Sequence, residues 1–427
     1  MAHIGFIGLC VPGHLYPASA LGAHLKTRGH RVTFFPIADG VEFLTTAGLD
    51  CVTVGKDNFP LGYVRRVTEE LGRLKGRRGL EYTLQALCNA IDAMVTDAPS
   101  AIQEAGVDAL VLDQFEMSGS TLAEHLQLPY VHLANALMAN TEASVPPFNV
   151  GWGIGGGPLA LLRNRAANAL TRRLMRPVRA RINAQRRAWG LQPFGEFMNE
   201  RFGSGPQICQ QPPGFEFPRR ELPANFHFVG PLHSLATRTD TAFPWDRLDG
   251  RPLIYASMGT LQNRLAWAFR AIAEGCATLN AQLVLSLGGA LDPAEFAGFP
   301  GDPIVVPYAP QLPLLQRAAV CITHAGLNTV LESLTHGVPM MAIPVTNDQP
   351  GVAARVSWTG SGEVVPLKKL NAAMVRKTVS SLLTNSRYRD HAQKLQAEIG
   401  RLQPLQRASE IVESVVSLRG RHHLMTV

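Results

Sequence analysis

Apolar and polar positions along this chain fall into blocks of two periods. Residues 4–10, IGFIGLC, are a continuous apolar run of strand length; residues 11–16 read as a turn; residues 17–28 space their apolar positions as a helix does. Gly29 and His30 stop that helix, and 32–37 is strand-like again. Further on, 80–103 is helical in pattern, 109–112 is a buried strand, 137–158 is a loop rich in Gly and Pro, and 226–229 is a strand stopped by Gly230 and Pro231. Residues 232–251 are polar with Pro and Gly, as a linker is. A second series follows: strands at 253–260, 282–288 and 304–308, with a helix at 265–279 between the first two. Beyond Pro366 the pattern is helical to about 418, broken at Pro404. Strand and helix in alternation predict an α/β protein of two doubly wound, Rossmann-like domains.

Length agrees, since 427 residues suit two cores of about 200 residues each better than one. With 46% hydrophobic and 17% charged residues, disorder is excluded as the general state. The six cysteines form no CxxC and sit in apolar segments, which predicts reduced thiols in a cytoplasmic protein. The first twenty residues include an ASA trio, but they lack a basic start and their apolar run breaks at Pro12, Gly13 and His14. No signal peptide is expected, and no run of eighteen apolar residues exists to cross a membrane.

The net charge of +7 is concentrated. Arg65, Arg66, Arg73, Lys75, Arg77 and Arg78 form one cluster; nine arginines between Arg163 and Arg187 form another, interleaved with Leu170, Leu174, Val178 and Ile182. Such basic amphipathic helices would suit peripheral contact with an anionic membrane, and they would equally suit a solvated face of a soluble domain. No recognisable nucleic-acid motif accompanies either cluster, so nucleic acid is not an expected partner.

The densest candidate chemistry lies at 308–349, YAPQLPLLQRAAVCITHAGLNTVLESLTHGVPMMAIPVTNDQ. An apolar run at 320–323 leads into His324, Ala325 and Gly326, then into a helical pattern at 328–335: strand, tight glycine turn, helix N-terminus. Free backbone N–H groups and the helix dipole bind phosphate there, with Asn328 and Thr329 adding short side chains. Glu332, one turn on, is placed for a ribose diol. A second buried run, 340–345, ends in Thr346, Asn347, Asp348 and Gln349, suited to sugar hydroxyls. Tyr308, with Ala309 and Gln311, offers an aromatic face to a planar base. No GxGxxG, GxxxxGK[ST] or GxSxG occurs, and no DxD triplet suggests a metal.

In the first half, His14 follows the first strand and Asp113 ends the 109–112 strand. Ligands meet open parallel sheets at such carboxyl ends, and a carboxylate on one imidazole nitrogen makes a general base. Glu116 is the alternative partner for His14.

The 308–349 stretch resembles the donor signature of family-1 glycosyltransferases, the UDP-sugar-dependent enzymes of the GT-B fold. The resemblance implies that Tyr308 stacks on uracil; that Gln311 and Glu332 meet the ribose; that His324, Asn328 and Thr329 hold the diphosphate; and that Asp348 and Gln349 hold the sugar. It further implies a hydroxyl near the diphosphate, Ser257 or Thr260, and the His14–Asp113 pair as base. Where plant members have Trp, this chain has Tyr308 and Leu327; where they have Ser it has Thr329, and it lacks two residues before the His324 turn. It is therefore of bacterial type. Residues 226–232 and 243–264 are similar to the carotenoid-glucosylating branch of that family. The implied organisation is an acceptor domain at 1–232, a linker at 233–251, a donor domain at 252–400, and a C-terminal helix and tail at 401–427 returning to the first domain. The implied reaction is inverting, metal-independent transfer of a sugar, most simply glucose, from a UDP-sugar to a hydrophobic hydroxylated acceptor such as a carotenoid. Phenols, flavonoids, macrolides and sterols are alternative acceptors; a nucleotide-sugar 2-epimerase and a non-catalytic nucleotide-sugar-binding protein are rival readings.

Overall fold

The computed structural model describes residues 1–74, 76–238, 241–260, 265–289 and 291–424. Lys75, positions 261–264 of the resemblance at 243–264, and the last three residues of the tail lie outside them. Thirteen strands occur among the described residues: β1 His3–Ile7, β2 Arg31–Phe34, β3 Asp50–Cys51, β4 Ala109–Asp113, β5 Tyr130–Ala134, β6 Gln207–Cys209, β7 Phe226–Phe228, β8 Leu253–Ser257, β9 Gln282–Ser286, β10 Ile304–Val306, β11 Ala318–Thr323, β12 Met340–Ala342 and β13 Gly362–Val364. The helices are α1 Pro12–Thr27, α2 Ala38–Thr46, α3 Tyr63–Arg73, α4 Gly76–Ala105, α5 Gly119–His125, α6 Pro158–Leu174, α7 Arg176–Ala188, α8 Phe197–Glu200, α9 Ala266–Cys276, α10 Gln311–Leu315, α11 Leu327–Thr335, α12 Gln349–Thr359, α13 Ala372–Thr384, α14 Ser386–Leu402 and α15 Pro404–Leu424.

Two sheets hold the strands, in the orders β3-β2-β1-β4-β5-β6-β7 and β10-β9-β8-β11-β12-β13. Every pairing is parallel. Residues of β1, β4, β5, β8 and β9 are buried throughout, which is why they read as continuous apolar runs: helices cover both faces. In each sheet the chain reverses direction of growth between its first strand and a neighbour, at β1/β4 and at β8/β11. Those two crevices are where such sheets take ligands.

Several details depart from the sequence reading: β1, β2 and β8 stop at Ile7, Phe34 and Ser257, short of the expected 10, 37 and 260. Residues 12–16 belong to α1 and are not a separate turn; Pro12 occupies the first helical turn, where a missing N–H costs nothing, and Pro17 lies inside the helix. In the 324–326 turn the left-handed residue is Ala325, at φ 64°, whereas Gly326 is at φ −63°. Gly326 is needed for space: a Cβ there would stand 2.5 Å from His324 Nε2.

The two units are joined by more than the linker. α15 crosses back and lays Ala408, Val412 and Val415 into the core that holds Ile4, Phe6, Leu21 and Leu25. Each valine so buried contributes about 1.5–3 kcal/mol. Arg28, the residue that follows α1, grips Glu413 of α15 with two bonds, 2.6 and 2.7 Å. Between the sheets, Arg355 on α12 makes a two-pronged buried ion pair with Glu216, at 2.5 and 2.8 Å, and Arg219 adds a third contact at 3.0 Å. Burial alone would raise the Glu216 carboxyl, but Arg355 and then Arg219 outweigh it and hold it at about 2.

Candidate active site

The β1/β4 crevice holds the titratable pair. His14 is in the first turn of α1, and Asp113 is the last residue of β4, so pairing of β1 with β4 brings them together: His14 Nδ1 donates to Asp113 Oδ2 at 2.6 Å. Gly8 makes the approach possible, since a Cβ there would be 2.8 Å from the Asp113 Cβ. The carboxylate also accepts from Phe115 N at 2.7 Å and Asn135 Nδ2 at 2.8 Å. Burial pulls the His14 imidazole down, but the charge and hydrogen bond of Asp113, with Asp348 adding, hold it above its ordinary value of 6.5. Burial likewise pushes Asp113 up, and His14, Phe115 N and Asn135 bring it below its ordinary value. Glu116 does not join this pair. Its carboxylate accepts from Ser118 Oγ at 2.6 Å and Ser118 N at 3.1 Å, and burial raises it. Beneath His14 is a narrow recess walled by Phe6, Leu15, Phe34, Leu44 and Leu133 and also lined by Asp113 and Asn135.

The β8/β11 crevice faces it. His324 follows β11 and its ring is packed against Gly259 and Gly326; a Cβ on either would lie 2.6 or 2.5 Å from Nε2. Burial pulls the imidazole down to about 4, with the Ser257 carbonyl opposing, so it is neutral at physiological pH; its Nδ1 has no partner among the described residues. Ser257 ends β8 and is buried, with Oγ accepting from Gly259 N at 3.3 Å, and Thr260 is exposed. The N–H groups of the first turn of α11 open toward this pocket, and Thr329 lies in that turn. One turn on, Glu332 is buried with Oε2 accepting from Gln311 Nε2 at 2.5 Å. Gln311 Oε1 in turn accepts from Tyr255 Oη at 3.0 Å. Tyr308 is 53% exposed beside Ala309, with the phenol end of its ring packed on Gly289.

Across the cleft, Asn328 ties the two crevices together. Its Nδ2 donates to the Gly13 carbonyl at 2.6 Å, and its Oδ1 accepts from Gln210 Nε2 at 2.8 Å. Pro17 explains the free acceptor: one turn along α1 from Gly13, it has no N–H to give that carbonyl. Asp348 at the start of α12 also reaches across, its Oδ2 accepting from Leu137 N at 2.9 Å, and it is close enough to His14 for their charges to act on each other. Gln349 Oε1 accepts from Val345 N and Thr346 N, both at 2.9 Å, so its carbonyl end holds its own loop.

Four residues at this site were not singled out from the sequence. Asn135 and Gln210 directly follow β5 and β6; the strand-end rule that selects His14 and Asp113 selects them as well. Arg238, in the linker, pairs with Glu332 and stacks 3.9 Å over the Tyr16 ring, joining the ribose candidate to α1. Arg201 is buried and donates to the Gln114 carbonyl beside Asp113. Burial pulls it down to about 10, with Asp113 and Glu196 opposing, so it stays charged. Nothing in the local pattern around Arg201 or Arg238 marks them, because each depends on a contact far off in sequence.

Residues 208–427 match the family described as UDP-glucoronosyl and UDP-glucosyl transferase. Over 418 residues the chain is 30% identical to the zeaxanthin glucosyltransferase of Pantoea ananas, covering 97% of this chain and 96% of that protein. It is 29% identical to the 4'-demethylrebeccamycin synthase of Lentzea aerocolonigenes over 416 residues, 95% and 97% of the two chains. Among solved structures, the calicheamicin glycosyltransferase CalG4 superposes with a TM-score of 0.72 at 22% identity, covering 98% of each chain. The glycosyltransferase VinC in complex with DTDP gives 0.71 at 19%, covering 97% of this chain and 99% of that one. With two parallel Rossmann-like sheets and these neighbours, the architecture is GT-B, and the chain is a member of the UDP-glucuronosyl and UDP-glucosyl transferase family, a glycosyltransferase.

Proposed function

We propose that this enzyme transfers glucose from UDP-glucose, with inversion, to a hydroxyl of an apolar acceptor, a carotenoid diol such as zeaxanthin. The observation that carries the reading is the His14–Asp113 pair set opposite the α11 N-terminus, with Asn328 bonded to the residue next to His14. Because Nδ1 is held by Asp113, Nε2 is the basic nitrogen left for the acceptor O–H. As that oxygen attacks the anomeric carbon, the proton passes to Nε2, the C–O bond to UDP breaks, and Asp113 stabilises the imidazolium. The leaving diphosphate receives hydrogen bonds from the α11 N–H groups, Thr329 and Ser257, and from the neutral His324 ring; Thr260 lies within the same loop. Gln311 and Glu332 take the ribose, Tyr308 and Ala309 the uracil, and Asp348 and Gln349 the sugar. Donor binding then requires Asp348 to share its carboxylate between Leu137 N and a sugar hydroxyl, and Glu332 to give up or share Arg238.

Relatives named for zeaxanthin glucosylation support the carotenoid reading. On this reading the enzyme works in the cytoplasm at the membrane face; its six cysteines are all unpaired thiols. The test is UDP release from UDP-glucose with EDTA present, across zeaxanthin, simple phenols, flavonols, a macrolide aglycone and a sterol. Acceptor-dependent release with zeaxanthin preferred is the expected result. Release that prefers a phenol or macrolide overturns the acceptor assignment. No acceptor-dependent release with any sugar nucleotide overturns transfer in favour of epimerisation or simple binding.

A further inference from the structure

Helix α6 is built inside out. Its inward face carries Asn164 and Asn168, both buried, whose amides donate to the carbonyls of Ala143 and Glu142 at 3.0 Å each. Its outward face carries Leu159, Leu162 and Leu170 at positions i, i+3 and i+11, exposed by 80, 64 and 56%. A helix on the surface of a soluble domain ordinarily shows the reverse. Just before it, Trp152 is 37% exposed, with the Arg163 guanidinium 4.7 Å over its ring.

Charge says what this face would meet. Between Glu142 and Glu196 the chain has nine arginines and no Asp or Glu. Among the described residues only Arg181 and Arg186 of the nine form ion pairs, with Asp92 and Glu124. The other basic cluster differs: Arg73 and Arg77 pair with Glu70 and Glu81 of their own helices, and α3 buries no residue, as a solvated face does. A second copy of the chain on α6 would bring this arginine field against itself. A nucleic acid would leave the three leucines unburied. An anionic bilayer satisfies both, leucines entering the acyl boundary and guanidinium groups meeting phosphates.

We propose that α6, with Trp152, is an interfacial docking surface for anionic lipid. It is continuous with the active site: the loop that carries Trp152 also carries Phe148, whose ring is 5.6 Å from Phe115, itself 6.1 Å from the His14 ring. A bilayer-dissolved acceptor therefore meets an aromatic track leading to the base. This delivery role rests on the acceptor reading above; the docking does not. No described helix is long and apolar enough to cross a membrane, and interfacial binding needs none.

The experiment is co-sedimentation of the full chain with phosphatidylcholine vesicles with and without phosphatidylglycerol, without donor or acceptor. Binding is expected only with phosphatidylglycerol and should weaken with salt. The pair Leu159→Gln with Leu162→Gln should lower the partition coefficient at least about tenfold, and Arg172→Gln with Arg173→Gln roughly 25-fold. Both should keep UDP release with a water-soluble acceptor and lose it with a vesicle-dissolved one. A wild-type chain that stays in the supernatant, or variants that sediment as it does, overturns the proposal. A dimer in solution that the leucine pair dissolves assigns the face to a second copy instead. Vesicle binding without any transfer would leave the docking standing and overturn the transfer reading.

Discussion

Replacing Asp113 by Asn keeps the side-chain shape and removes the charge beside His14. Two charges about 4 Å apart at an effective dielectric of about 20 interact by about 4 kcal/mol. If all of that acts on the imidazolium formed during transfer, it is a factor of about 10³ in rate. An amide keeps only one oxygen acceptor, and when that oxygen takes Phe115 N its NH2 faces His14 Nδ1, so part of the population carries its proton on Nε2, where the base is needed. A fall in kcat/KM of about 10²–10⁴ is expected, with UDP affinity unchanged by calorimetry. The pH profile supplies the sharper test. His14 must be neutral to act, and Asp113 holds its pKa above 6.5, so the acid limb of wild-type kcat/KM should lie above 6.5. Without the carboxylate, burial, which acts in the opposite direction, dominates, and the limb should move to lower pH while the plateau falls. A variant within about threefold of wild type, or an acid limb that does not move, would refute the assignment of Asp113 as the partner of a general base.

Glu332→Ala should weaken UDP binding by about 10- to 100-fold, as expected for charge-assisted bonds to a diol, and unchanged affinity would remove Glu332 from the ribose. Gly326→Ala leaves the backbone unstrained at φ −63° but drives a Cβ against His324. It should lower donor affinity about tenfold or more with circular dichroism unaltered. Arg355→Met leaves Glu216 buried without its main partner and should cost about 3–5 kcal/mol in denaturant unfolding. Because Glu216 is held at about 2, below its ordinary 4.5, its contribution is full above 4.5 and is lost as pH falls through about 2. Unfolding measured across that window should show the loss in wild type and much less of it in Arg355→Met.

What could be read in the residues divides by the distance over which each feature is decided. The runs at 4–10, 109–112, 253–260 and 320–323 mark β1, β4, β8 and β11 because strands of a parallel sheet covered on both faces are buried on both sides, and that signal is local, although the first and third runs overshoot their strands by three residues each. Asp113 ends β4 and His14 opens the helix that follows β1, so the adjacency of β1 and β4 brings them together. Pro12 and Gly13 look like a turn in the sequence, yet a proline in the first helical turn loses no bond, and α1 includes it. The turn before α11 hid a different fact: Gly326 is there for the His324 ring, and Ala325 takes the left-handed backbone. Arg201, Arg238 and the Glu216–Arg355 pair were not legible at all, since each is defined by a partner 87 to 139 positions away. Leu170 and Leu174 of α6 fall with the buried Val178 and Ile182 of α7 into one amphipathic pattern, and only the exposure of Leu170 shows that the pattern spans two faces; nothing in that pattern marks Leu159 or Leu162.

The most direct measurement of the central claim is made on His14→Ala: UDP affinity by calorimetry and acceptor-dependent UDP release on the same preparation. The account predicts donor affinity within about twofold of wild type and turnover lower by about 10²- to 10⁴-fold. Turnover that persists, or donor affinity that collapses together with it, would contradict His14 as the base that activates the acceptor.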